Sequence, residues 1–328
     1  MKLWQRHHNF VSPSARARGI IAPAMAHHQH DHGHHHSHHG HDRAFAIGTA
    51  LNLGFVVAEI AFGLLANSMA LLADAAHNFG DVLGLLLGWG AAWLARRPPT
   101  RRRTYGWGRS SILAALLNAT ILLIGVGAIG VEAAHRLLAP EPVREATVIL
   151  VAAAGILING ATALLFLRGR GHDINVRAQF VHMAADAGVS AGVVLAGLLI
   201  LLTGWMWLDP VASLVIGIVI VATTWGLLRE SIDLAMDAVP GGVAQEAVQD
   251  YLASVPGVLE VHDLHIWGLS TTQTALTAHL VCVDPSAERS LHDVTTELRD
   301  RFGIGHATLQ IETDTDAELC RLRPHDVV

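Results

Sequence analysis

Between residues 44 and 228 the chain is dominated by six apolar segments, near 44–66, 69–95, 110–138, 146–167, 178–203 and 207–228. Each is about 20 residues or longer, enough to cross a hydrocarbon core of ~30 Å as a helix. Buried soluble helices rarely stay apolar all round for that length, so six membrane spans are predicted. After residue 230 the pattern changes. VAQEAVQDYLAS has helical period; VLEVHDLHIWGL and TQTALTAHLVCVD alternate as strands, joined by a short hairpin connection. AERSLHDVTTELRDRF is again helical and HATLQIET again a strand. The order α-β-β-α-β predicts a small α+β domain with helices on one face of a sheet.

Three parts follow: an N-terminal tail over 1–43, a six-helix transmembrane domain over 44–230 and a cytoplasmic domain over 231–328. Loop charges give the orientation. RRPPTRRRTYGWGR, between spans two and three, holds six arginines, and RGRGHDINVR, between spans four and five, holds three. The opposite loops, ANS, PEPVRE and TGWMWL, carry a single arginine between them. An excess of positive charge on the cytoplasmic side puts both termini in the cytoplasm. A hydrophobic share of 52% with only 15% charged residues agrees with membrane residence. The net charge of −6 argues against a nucleic-acid partner. The basic opening stretch lacks the continuous apolar core of a secretory signal, and Met25 is an alternative translation start.

The second apolar segment carries polar groups where each is costly. Asp74, His77, Asn78 and Asp81 fall at i, i+3, i+4 and i+7, on one stripe of a helix. A mid-bilayer Asp costs roughly 2.5–3.5 kcal/mol, so something must compensate. Span five repeats the pair as His182 and Asp186, with Asn175, Gln179 and Ser190 extending its stripe. Two imidazoles and two carboxylates on facing helices offer the four N/O ligands that tetrahedral Zn²⁺ takes. A divalent ion neutralises both aspartates, and protons compete for the same groups. One such pair alone is more often a helix–helix hydrogen bond; two, in two spans, favour a site. Asp74, near the outer end of its span, either guides cations or meets water. Asn52 and Glu59, seven apart in span one, line the path or hydrogen-bond within the bundle.

Other chemistries fare worse. No Gly-x-x-x-x-Gly-Lys-Ser/Thr loop is present to bind ATP phosphates, and no organic cofactor is predicted. Cys282 and Cys320 match no Cys-x-x-Cys pattern and give no thiolate zinc site on their own. An intramembrane metalloenzyme lacks His-Glu-x-x-His, and Glu132 with His135 is only half of a di-iron set. A membrane-anchored metal sensor is the other alternative, but an anchor has no need of the stripes in spans two and five.

SMALLADAAHNFGDVLGLLLGW, HMAADAGVSAGVV, TYGWGRSSILAALLNA, WLDPVASLVIGIVI and VHDLHIWGLSTTQTALTAHLVCVD together resemble the cation diffusion facilitator family, in order from residue 44 to about 312. The resemblance implies a homodimer of six-span subunits, exchanging cytoplasmic Zn²⁺ for protons across the inner (plasma) membrane, and no enzymatic activity. It implies a transport site of His77, Asp81, His182 and Asp186. Two histidines with two aspartates match the zinc-transporting branches; Cd²⁺, Co²⁺ and Ni²⁺ suit the same ligand types. Gly108 stands where many relatives carry a histidine in the loop between spans two and three, which puts a metal site there in doubt. The resemblance also implies a metallochaperone-like cytoplasmic domain that pairs with its twin and binds regulatory Zn²⁺. Its candidate ligands are His262, His279 and Glu312, with His306 a further one. Gln310 falls where some relatives have histidine, and a domain that merely dimerises is the alternative. His265 and Trp267 are expected to pack or hydrogen-bond at the surface.

Twenty-two histidines are the compositional anomaly. His27, His28, His30, His32, His34, His35, His36, His38, His39 and His41 form a tract with no hydrophobic face, which predicts disorder. Dense imidazoles on a flexible cytoplasmic chain bind divalent metal loosely, so the tail is expected to capture metal near the inner mouth. A dispensable spacer is the alternative.

Overall fold

The computed structural model describes residues 38–166, 174–283 and 288–323. Six long helices come first: α1 His38–Ala66, α2 Met69–Ala95, α3 Ser110–Leu138, α4 Glu145–Phe166, α5 Ile174–Thr203 and α6 Leu208–Ala235. Five described helices, α2 to α6, are long and apolar enough to cross a membrane, and the apolar part of α1 spans Asn52–Ala66. α1 starts at His38, ahead of the predicted 44. α6 runs on to Ala235, past the expected boundary at 230, because water tolerates a polar helical turn. Arg229 and Asp233, one turn apart and 4.0 Å from each other, decorate that extension.

The turns between spans have local causes. Asn67 joins α1 to α2 at φ 56°, a left-handed conformation that Asn tolerates better than most residues. Its side chain donates to Glu141 at 2.8 Å. Ser68 then caps α2 by accepting from the Leu71 N–H. A second cap comes from α6. The buried Asp209 carboxylate accepts the Ser68 hydroxyl and the N–H groups of Met69, at 2.6 Å, and Ala70, at 3.3 Å. A carboxylate at a helix N-terminus meets unpaired donors and the positive end of the dipole. One charge thus fixes α6 against α2.

The helices pack as α4 on α5, α3 on α6, and α2 between α3 and α6, with α2 and α6 each also touching α5. Ala66, Ala70, Leu71, Ala73, Val126, Val148, Ala152, Val193, Ile216 and Ile220 form their shared interior. Small residues let backbones approach where lipid supplies no hydrophobic driving force. Gly155 of α4 is such a point: a Cβ there would lie 2.9 Å from the Ser190 hydroxyl of α5. The outer faces expose Leu64, Leu85, Leu150, Leu157 and Leu202, as contact with lipid tails requires.

The second domain holds α7 Gln245–Ala253, β1 Val258–Gly268, β2 Thr274–Cys282, α8 Glu288–Phe302, β3 Ile304–Glu312 and α9 Asp314–Leu319. The strand order is β1-β2-β3, antiparallel then parallel. Val248 and Leu252 of α7 and Val294 and Leu298 of α8 close one core with Val261, Leu276, Ala278 and Leu280 of the sheet. This is the predicted α-β-β-α-β arrangement with one addition. α9 is too short for a periodic signal; its Thr313–Asp316 capping box holds it.

The two domains meet where the β1–β2 turn touches the start of α3. Arg109 pairs with Asp237 just beyond α6, and the Thr271 N–H donates to the Ser111 hydroxyl at 3.1 Å. Gly108 packs so closely that an added Cβ would sit 2.8 Å from the Leu269 carbonyl oxygen. A side chain of any kind at this position would press on that carbonyl.

Candidate metal centres

Four side chains converge where α2 meets α5. His77 Nε2 lies 3.1 Å from Asp186 Oδ1. His182 Nε2 lies 3.4 Å from Asp81 Oδ2 and 3.7 Å from Asp186 Oδ2. The two imidazoles stand edge to face with centroids 6.2 Å apart. Helical spacing supplies half of this, because i and i+4 side chains share a face. The rest comes from the two stripes facing each other at one depth. One ligand atom from each of His77, Asp81 and Asp186 falls within 4.8 Å of the others. The groups differ in access: the Asp186 side chain is 2% exposed, that of Asp81 27% and that of His182 39%. The buried His77 Nδ1 has no hydrogen-bond partner.

The remaining stripe residues brace this centre. Asp74 does not meet water; it is fully buried and accepts from the Ser190 hydroxyl at 2.9 Å. Asn78 turns to α1 and donates to Glu59 at 2.8 Å. The side chains of Asn175 and Gln179 lie outside the described residues. Glu132 pairs with Arg136 at 3.0 Å, which Asn67 and Glu141 also engage, so it serves a helix end.

A second cluster forms in the α+β domain. β1 sets His262 directly opposite His279 of β2, with ring centroids 5.1 Å apart. Glu312, at the end of β3, reaches His279 Nδ1 at 2.9 Å and His262 Nε2 at 3.3 Å. Both His262 nitrogens and Glu312 Oε2 are buried without a hydrogen bond, a donor set that suits Zn²⁺. Gln310 is not lost to the site: it donates to Glu312 at 2.8 Å.

His306 is a correction. It pairs with Ala275 in the sheet and its ring meets Tyr105, centroids 5.6 Å apart. Six residues along a strand is about 20 Å, too far for one ion to be shared with Glu312. His265 instead takes Asp263, at 2.8 Å. Cys320, which the sequence left without a role, joins His262, His279 and Glu312 within 4.8 Å. No spacing rule could have found it, because it arrives through α9. Of the histidine tract, His27 to His36 lie outside the described residues, as do the side chains of His38, His39 and His41.

Residues 45–234 match the cation efflux transmembrane domain, and residues 240–314 match the cytoplasmic domain of cation efflux proteins. The chain belongs to the cation efflux family, the cation diffusion facilitators. The cation efflux system protein CzcD of an Alcaligenes species is 35% identical over 276 residues, covering 83% of this chain and 87% of its own. The zinc transporter ZitB of Escherichia coli is 33% identical, covering 88% and 93%. A Bacillus velezensis protein named as a cadmium, cobalt and zinc/H(+)-K(+) antiporter is 32% identical, covering 79% and 85%. Members of a cation efflux family are transporters, so the metalloenzyme reading is set aside.

Proposed function

We propose that the chain is a secondary transporter that exports Zn²⁺ from the cytoplasm in exchange for protons, with Cd²⁺, Co²⁺ and Ni²⁺ as cargo of the same chemical type. The observation that carries this is the approach of His77 and Asp81 on α2 to His182 and Asp186 on α5. Two carboxylates and two neutral imidazoles make a neutral complex with a divalent ion, which lowers the cost of holding it inside lipid. Every ligand must be deprotonated to bind metal, so protons entering the same groups release the ion. That competition is an antiport cycle at one site. Relatives named for zinc transport and for antiport with H⁺ support the cargo and the counter-ion.

The arginine-rich loops support a cytoplasmic location for both termini, in the inner (plasma) membrane. The match of residues 240–314 to the cytoplasmic domain of cation efflux proteins supports a dimer paired through the α+β domain. We further propose that His262, His279 and Glu312 hold a regulatory Zn²⁺, and that the histidine tract delivers metal to the inner mouth.

Purified protein in liposomes tests the main reading. Zn²⁺ uptake is expected to need an opposing proton gradient and to vanish in Asp81→Ala and Asp186→Ala. A wild type that moves no metal, or a variant with intact flux, sinks it. Deleting residues 27–41 is expected to weaken apparent affinity while preserving flux; complete loss of transport counts against capture.

A further inference from the structure

Beyond β3 the chain doubles back over the cytoplasmic-domain cluster. Thr313 caps α9, whose end delivers Cys320 with its Sγ 3.7 Å from His279 Nδ1. Three residues later Arg323 grips Glu260 of β1 with two contacts, at 3.1 and 2.8 Å. The returning segment is therefore tied on both sides of the cysteine. Each imidazole turns one nitrogen to the cluster and the other to a carboxylate behind it. His279 Nε2 lies 3.5 Å from Asp263, and His262 Nδ1 lies 3.8 Å from Glu260. Carboxylates behind the far nitrogen orient metal-ligating histidines. His262 Nε2 and Glu312 Oε2 face each other at 3.3 Å, both buried and without a hydrogen bond, in the group of four whose ligand atoms, with that of Cys320, lie within 4.8 Å of one another. A tetrahedral ion with bonds of about 2.0–2.3 Å needs its ligand atoms roughly 3–4 Å apart. The four side chains come close to that spacing.

We infer that segment 313–323 closes this site and that Cys320 is its fourth ligand, making it a site for a soft divalent cation; this rests on the reading above that the domain binds metal. On binding, the sulfur–hydrogen bond of Cys320 breaks, its proton leaves to water, and a sulfur–metal bond forms. Thiolate with imidazole selects Cd²⁺ and Zn²⁺ over Mn²⁺ or Mg²⁺. The closed segment also carries Arg323, so the ion and the Arg323–Glu260 pair hold the chain end together. Cys282 takes no part: it lies in the sheet–helix core, and burial pushes its thiol up.

The test uses the full chain in detergent, titrated with Cd²⁺. Among its side chains only the two cysteines give the strong ultraviolet sulfur-to-cadmium band. That band is expected in the wild type and in Cys282→Ala, and is expected to be absent in Cys320→Ser. His279→Ala is expected to weaken the affinity read from it by about 100-fold, and Arg323→Ala by about tenfold. In the unsubstituted protein Zn²⁺ is expected to slow alkylation of Cys320, which keeps the inference testable should Cys320→Ser misfold. A wild type without the band, a band that survives Cys320→Ser, or unprotected Cys320 overturns it. Should the number of bound Cd²⁺ ions still fall in a His262→Ala/His279→Ala variant, only the cysteine is wrong. Should it not fall, the metal-binding reading of the domain goes too.

Discussion

His77 of α2 and Asp186 of α5 stand 3.1 Å apart, and the same Asp186 carboxylate lies 3.7 Å from His182 on its own helix. Asp186 is thus shared by both histidines and is nearly inaccessible, whereas Asp81 faces one histidine and is partly open. Replacement of the shared carboxylate is expected to be the more damaging. Asp186→Asn should lower initial Zn²⁺ uptake by about 100-fold or more, with Asp81→Asn retaining a larger fraction. Equal losses in proteoliposome flux would show that sharing and burial do not matter.

Acid should weaken loading. Protonated imidazoles and carboxylates cannot ligate, so the Zn²⁺ KM is expected to rise as pH falls on the loading side. Flux measured at several pH values checks this. A KM that stays flat across those values would separate proton binding from the metal site.

Ser190 supplies the hydroxyl that the buried Asp74 carboxylate accepts. Ser190→Ala removes that donor from a fully buried carboxylate. Loss of about 1–3 kcal/mol is expected, read as a lower melting temperature in detergent. An unchanged melting temperature would mean that Asp74 finds another donor.

Asp209 holds the start of α2 through Met69, Ala70 and Ser68. Asp209→Ala is expected to cost about 1–2 kcal/mol of stability as a lost cap, and Asp209→Asn less. Thermal unfolding of the two variants side by side is the measurement; equal stability of Asp209→Ala and wild type would contradict the capping role.

Gly108 has no room for a side chain where it meets the β1–β2 turn. Gly108→His is expected to push against the Leu269 carbonyl and cost about 1–3 kcal/mol without adding a bound Zn²⁺. Gain of an extra ion by equilibrium dialysis would show that the β1–β2 turn yields.

Much of this architecture was readable along the chain. α2 and α3 occupy the predicted segments end to end, because apolar length and flanking arginines are properties of contiguous residues. The pairs His77/Asp81 and His182/Asp186 were likewise visible, since a helix turns an interval of four into a shared face. The errors lie where local spacing stops being informative. His306 has the chemistry of a ligand but sits at the far end of its strand beside Tyr105. Cys320 lacks any motif, yet a six-residue helix carries it to His279. Position in the span left Asp74 either guiding cations or meeting water, and burial against Ser190 of another helix removes the second of these.

Hydrophobic length and helical period, both carried by neighbours in sequence, determined the spans and set each histidine and its aspartate on one helix face. Only the tertiary structure decided which stripes face one another, that Asp186 serves two histidines, and that a cysteine near the chain end joins two strands. Those are meetings of residues far apart in the chain, and the packing of whole helices and strands, which no local interval encodes, chooses among them.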